Sequence, residues 1–273
     1  MSAWYRPLIL LAAFVPTPVS AANPRVVSIN PCVDAVLMQV ADPGQIAAIS
    51  HYSQDPRATS ISLDLARRFK ATSGTAEEVV ALAPDVVIAG GHVAPSTILA
   101  LRRLGVRLVQ LSVPASIAES EAQVRTIART VGHNERGAAL VARIDDAVRG
   151  AQYSGVPIPA LIWQGGGLVP GRATLADDVM RASGFHNLSS DYGLKMWDVL
   201  PLEYLIARPP RVLLSLGAGA DRGDRLLTHP VLRALVGRIA MRPFPERLLH
   251  CGGPSIIDAL ATLVAIRRSV PRA

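Results

Sequence analysis

Short, continuously apolar runs along this chain alternate with stretches whose apolar residues recur every three or four positions. The apolar runs of the first half are RVVSIN (25–30), QIAAIS (45–50), DVVIAG (85–90) and VRLVQL (106–111). Between them lie three helical patterns. One starts near Asp34 and is ended by Asp42-Pro43-Gly44, one runs from an N-cap at Thr75 to about Leu82, and one covers about 96–104. The second half repeats this grammar. ALIWQ (160–164) runs into Gly165-Gly166-Gly167, Thr174 caps a helix that stops at Gly184, and RVLLSL (211–216) ends at Gly217. RLLHC (247–251) reads as a last strand, and a terminal helix starts at Ser255. Runs this apolar are buried on both faces, as in parallel strands covered by helices. The expected fold class is therefore α/β, with two lobes, each a mostly parallel sheet flanked by helices, over 23–112 and 157–273.

Residues 113–156 join the two lobes. Gly132-His133-Asn134 breaks the segment, and Asn134 is expected to cap the helix that follows. From 135 to about 152 the apolar residues Ala138, Val141, Ile144 and Val148 keep helical spacing, which predicts a helix of roughly 25 Å. A single long helix of this kind holds two lobes at a nearly fixed angle, unlike a Gly/Ser linker. One phrase also occurs twice. EEVVALAPDVVI (77–88) and EYLIARPPRVLL (203–214) each begin with a glutamate and pass through a helical turn and a proline into a strand.

Composition changes the picture at the N-terminus. Arg6, the apolar LILLAAFV (8–15) and the small residues 19–22 have the form of a signal peptide over 1–22, so the mature chain is expected in the periplasm. The net charge of +7 is nearly all scattered arginine without clustered lysine or interleaved aromatics, which argues against nucleic acid as a partner. G-x-S-x-G, H-E-x-x-H, G-x-x-x-x-G-K and C-x-x-C are all missing from the sequence. The chain therefore reads as a non-enzyme, with no catalytic residues.

An exported chain of two α/β lobes with one helical connector resembles the periplasmic substrate-binding proteins of ABC importers. EVVALAPDVVIAGG resembles the helical-backbone class of that family, which serves ferric siderophores, vitamin B12 (cobalamin) and haem. RVVSINPCVDAVLMQVA resembles the family's opening strand, loop and helix. TLADDVMRASGFHNLSSDYG and LEYLIARPPRVLLSLG resemble its second-lobe counterpart. The resemblance implies a monomeric receptor that captures a small metal chelate and delivers it to an inner-membrane permease, with no cofactor and no metal of its own. By position in the motif, the permease-docking glutamates carry over to Glu77 and Glu203, although Glu78 adjoins the first. A carboxylate at a helix start is favoured by the helix dipole and stays free for an incoming arginine.

Open α/β sheets bind ligands at the loops beyond strand C-termini. Those loops supply the candidate contacts Pro31, Cys32, His51, Tyr52, Gly91, His92, Trp163, Gly165, Gly166, Gly217 and His250. Trp163, Tyr52, Met196 and Trp197 offer flat apolar contact for a corrin, porphyrin or catecholate, and Arg172 could pair with an anionic group. Basic cleft residues would favour a siderophore or haem, and neutral aromatic ones cobalamin. Cys32 and Cys251 both fall on the cleft side, so a disulfide between lobes is one reading and two unconnected small residues the other. Two alternatives stay open. One is a receptor for haem or for free zinc or manganese, and the other is a thiol enzyme using Cys32 with His51.

Overall fold

The computed structural model describes residues 23–216 and 238–271. The first sheet contains β1 (Val26–Ser28), β2 (Ile46–Ser50), β3 (Ala71–Thr72), β4 (Val86–Ala89) and β5 (Leu108–Gln110). Its order is β3-β2-β1-β4-β5, and every pairing is parallel. Helices α1 (Pro31–Val40), α2 (Leu63–Ala66), α3 (Ala76–Ala81) and α4 (Pro95–Arg103) connect these strands. After α5 (Ile117–Thr130) and α6 (Asn134–Ala151) comes the second sheet. It is built from β6 (Ile158–Trp163), β8 (Phe185–Asn187), β10 (Val212–Leu216) and β11 (Ala240–Phe244), parallel in the order β11-β10-β6-β8. A short antiparallel ribbon pairs β7 (Leu168–Val169) with β9 (Asp198–Val199). The helices here are α7 (Leu175–Ala182), α8 (Leu202–Ala207) and the terminal α9 (Ser255–Ser269). The lobes are thus two α/β units with parallel sheets. Among the described residues, no helix is long and apolar enough to cross a membrane.

The strand alternation of side chains decides where the core sits. Val26, Val86, Ile88, Ala160, Ile162, Val212 and Leu214 all face one apolar cluster, which also contains residues of α1, α5, α6, α7 and α9. The opposite faces, with Val27, Val87 and Ala89 in one sheet and Leu161, Trp163 and Leu213 in the other, belong to two separate smaller cores. The lobes therefore share one continuous interior, and each closes its outer face independently.

The chain between the lobes is a helical hairpin, α5 against α6. At the start of α5 the Ile117 amide donates to Asp178 Oδ2 of α7 at 2.8 Å. At its far end Gln45 Nε2 donates to the Val131 carbonyl at 3.0 Å. Helix α6 is tied near its start by Arg136, which donates to the Val40 carbonyl and to Asp42 Oδ1 at 2.7 Å. At its end Arg267 of α9 donates to the Ala151 carbonyl at 2.9 Å. His133, rather than Asn134, holds the N-cap position of α6.

Two further elements differ from the sequence expectation. Helix α1 starts at Pro31, three residues before Asp34, because the N-cap Asn30 Oδ1 accepts from the Cys32 and Val33 amides. The last strand is β11, not RLLHC. The Leu248 and Leu249 amides fold back onto the Pro245 and Glu246 carbonyls, forming a 3-10 turn in which Leu248 is buried. An apolar run this short does not by itself separate strand from helix.

Candidate functional site

A cavity of about 560 Å³ lies where the shared core meets the loops of both lobes. The first lobe contributes the start of α1 (Cys32, Val33, Val36), Gly90-Gly91-His92 after β4, and Leu111 to Ala115 after β5. Helix α5 contributes Ser120, Gln123 and Ile127. The second lobe contributes the start of α7, Met196 and Trp197, Phe244 at the end of β11, and the loop from Leu248 to Gly253 before α9. Its volume falls in the range of small-molecule sites.

Backbone and covalent ties hold the loop that carries His250. Cys251 is bonded to Cys32 across 219 residues of sequence, with a Cα–Cα distance of 5.0 Å. Next to it the Gly253 amide donates to Ser120 Oγ at 2.7 Å. Gly253 has φ +60° and lies against Val36, so a side chain there would be both strained and crowded. The disulfide thus joins the first turn of α1 to the second-lobe wall of the cavity. A bonded Cys32 offers no thiolate for nucleophilic attack.

None of the described wall residues carries a formal charge. His92 and His250 are its titratable side chains, and Asn30, Ser112, Ser120, Gln123 and Thr174 supply polar contacts. On the buried side of α1, outside the wall, is Asp34, fully buried. Its Oδ2 accepts from the Ser50 amide at 2.9 Å and from Ser53 Oγ at 2.6 Å, while Oδ1 has no hydrogen-bond partner among the described residues. Burial pushes its carboxyl up to about 7, against the opposing pull of the nearby Ser28 hydroxyl, the Ser53 hydroxyl and the Ser50 amide. Among the described residues no group of three or more His, Cys, Asp or Glu side chains is arranged to hold a metal ion.

Of the residues singled out from the sequence, Cys32, Gly91, His92, Met196, Trp197, His250 and Cys251 line the cavity. Pro31 does not; it fills the first position of α1. His51 and Tyr52 lie outside the wall, stacked on each other with ring centroids 4.1 Å apart, and His51 Nδ1 is 3.2 Å from the Thr72 carbonyl. Trp163 is 1% exposed and packs in the outer core of the second lobe with Val169, Leu188 and Leu205. Its neighbour Ile162 takes the cavity side instead, because adjacent strand residues face opposite ways. Gly165 and Gly166 form a turn beyond β6, with Gly166 at φ +78°, and do not reach the wall. Arg172 is exposed, outside the wall, and its amide donates to the Leu194 carbonyl at 3.0 Å. Gly217 lies outside the described residues. Ser120, Gln123 and Phe244 line the cavity as well, without being among the sequence candidates. The helical spacing of the α5 segment was the available signal for the first two.

The repeated phrase becomes α3–Pro84–β4 and α8–Pro210–β10. Glu78 is occupied internally, accepting from Thr72 Oγ1 and from the Ser73 amide, both at 2.8 Å. These bonds hold its carboxyl below the ordinary glutamate range. Glu77 and Glu203 are exposed at the starts of their helices, and no hydrogen bond or ion pair engages either one among the described residues.

Comparison with known proteins adds three kinds of likeness. A family model described as periplasmic binding protein matches residues 26–235. A cobalamin-binding protein of Halobacterium salinarum is 27% identical over 208 residues, covering 73% of this chain. The chain spans only about half, 55%, of that relative's length. Among solved structures, the periplasmic haem-binding protein RhuT from Roseiflexus sp. RS-1 superposes with a TM-score of 0.71 at 22% identity, covering 90% of this chain and 99% of that one. The periplasmic vitamin B12 binding protein BtuF of Vibrio cholerae superposes with a TM-score of 0.71 at 15% identity, covering 93% and 100%. The two structural likenesses establish the fold. The shared core between two parallel sheets and the family match over most of the sequence lead to one conclusion: this chain belongs to the periplasmic binding protein family.

Proposed function

We propose that this chain is the solute receptor of an ABC importer, taking a cobalamin-type metal chelate between its lobes and handing it to a membrane permease. The observation that carries the choice of ligand is the uncharged, largely apolar wall among the described residues. Haem brings two propionates and most ferric siderophores bring net negative charge, which a largely apolar wall leaves without paired cations among the described residues. Cobalamin presents a broad corrin edged with neutral amides. Such a ligand suits apolar faces from Trp197, Met196 and Phe244, with Asn30, Gln123 and serine hydroxyls for the amides. The cobalamin-binding relative from Halobacterium salinarum points the same way.

Delivery rests on Glu77 and Glu203, one on each lobe, both exposed and unengaged among the described residues. The shared core and the Cys32–Cys251 bond support binding with small closure rather than a wide hinge. That bond also suits an oxidising compartment such as the periplasm, the destination expected from residues 1–22, which lie outside the described residues. Haem is the second reading, favoured by the two imidazoles of His92 and His250 in the wall, each a potential axial ligand.

Equilibrium titration with cyanocobalamin, haemin and a panel of ferric siderophores tests the choice. Cyanocobalamin bound at least tenfold more tightly than haemin supports it. Preference for haemin or a siderophore overturns the ligand assignment. Failure to bind any chelate, with zinc or manganese held instead, overturns the receptor reading as a whole.

A further inference from the structure

Residues 194–200 form a strap that runs antiparallel along residues 167–173. Leu168 and Val169 pair with Val199 and Asp198, and the Leu200 amide donates to the Gly167 carbonyl at 2.9 Å. Three more backbone bonds continue the contact. The Gly171 amide donates to the Met196 carbonyl at 2.9 Å, Arg172 to Leu194 at 3.0 Å, and Ala173 to Lys195 at 2.7 Å. At Gly171 the two segments touch so closely that an added Cβ would lie 2.5 Å from the Leu194 oxygen and 2.6 Å from the carbonyl carbons of Leu194 and Lys195. All three are backbone atoms, so no side-chain rotation could relieve the clash.

The loop beneath the strap is held firmly. The Pro170 carbonyl accepts from Asn187 Nδ2 at 2.8 Å and from Ser189 Oγ. The Gly171 carbonyl accepts from Thr174 Oγ1 at 2.7 Å, and Asn187 Nδ2 also donates to Asp177 Oδ1 at 2.9 Å. Asn187, Ser189, Asp177 and Thr174 are all buried, so this platform gives way less readily than the strap. The strap borders the cavity wall at Met196 and Trp197. Trp197 is half-buried there against the shared core, and Met196, a large apolar side chain, is 59% exposed.

We propose that Gly171 is a positioning residue for ligand binding. It lets the strap lie flat, and this sets Met196 as an adaptable thioether contact for the face of a bound macrocycle. The proposal rests on the chelate-receptor reading for its ligand, but the placement of the strap can be measured without one. The variants are Gly171→Ala and Met196→Ala, each titrated with cyanocobalamin and haemin. Trp197 emission is isolated by repeating the Gly171→Ala comparison in a Trp197→Phe background. Gly171→Ala is expected to shift the ligand-free Trp197 emission and to weaken binding of the preferred chelate at least tenfold. Met196→Ala is expected to weaken it several-fold with an unchanged melting temperature. The loss caused by Gly171→Ala should shrink when Met196→Ala is already present. Unchanged emission and affinity in Gly171→Ala overturns the proposal. If that variant does not fold, unchanged affinity in Met196→Ala overturns it instead. A wild-type protein that binds neither of these but takes a ferric siderophore overturns the macrocyclic ligand, and one that binds no chelate at all refutes the receptor reading; in both cases the emission shift still tests the strap.

Discussion

Asp34 gives the fold a pH dependence that can be worked out from one side chain. Its carboxyl moves from an ordinary value of 3.8 to about 7 on burial, with Oδ1 left without a hydrogen-bond partner among the described residues. Between those values the folded chain binds a proton that the unfolded chain has released. This part of the stability is therefore fully present below about pH 4 and is lost as pH rises through about 7. A displacement of that size corresponds to about 4 kcal/mol over the whole window, or roughly 1.4 kcal/mol per pH unit within it. Asp34→Asn removes the charge while keeping one oxygen for the Ser50 and Ser53 donors, and it leaves the second atom as unpartnered as before. Urea unfolding of both proteins at intervals from pH 4.5 to 8.5 reads the effect. The variant should gain on the wild type steadily as pH rises, by about 3 kcal/mol between pH 4.5 and 7, and the difference should level off above pH 7.5. Stability curves that stay parallel across this range would refute the argument that Asp34 is folded in its protonated form.

The remaining predictions concern the lobes and their docking. Glu77→Ala combined with Glu203→Ala should abolish uptake in cells while soluble ligand affinity is kept, whereas Glu78→Ala should lower the melting temperature and spare uptake. Lost affinity in the double variant would contradict the docking assignment. Replacing Cys32 and Cys251 by serine should cost about 2–4 kcal/mol. Two free thiols titrated in the denatured, unreduced wild-type protein would show that the bond does not form. Ile144→Ala, at a fully buried position of α6 in the shared core, should cost about 2–5 kcal/mol and leave one cooperative transition. Two separable transitions from probes in the two lobes would argue against a continuous interior.

Much of the fold was legible along the chain because strand and helix periods are local properties. The apolar runs at 25–30, 85–90 and 211–216 became β1, β4 and β10, and Thr75 and Thr174 cap the helices expected of them. The site was less legible. Trp163 and Ile162 stand at the end of the same strand, and which one faces the cavity depends on the register of β6 between β10 and β8. Glu77 and Glu78 looked equivalent until the Thr72 hydroxyl and Ser73 amide claimed Glu78. Gly171 gave no signal, because its need for a bare backbone comes from Leu194 and Lys195, more than twenty residues further on.

By itself, then, the sequence determined the alternation of strands and helices, two similar units with a helical segment between them, and a glutamate at the same place in each. Those follow from hydrophobic spacing, capping residues and chain order, which are read within one or two turns of backbone. Only the tertiary structure decided that the lobes share one core, that Cys32 and Cys251 come within bonding distance, and that the described cavity wall is uncharged. Each of these depends on which faces of distant elements meet, and that is set by packing between residues up to 219 positions apart in the chain.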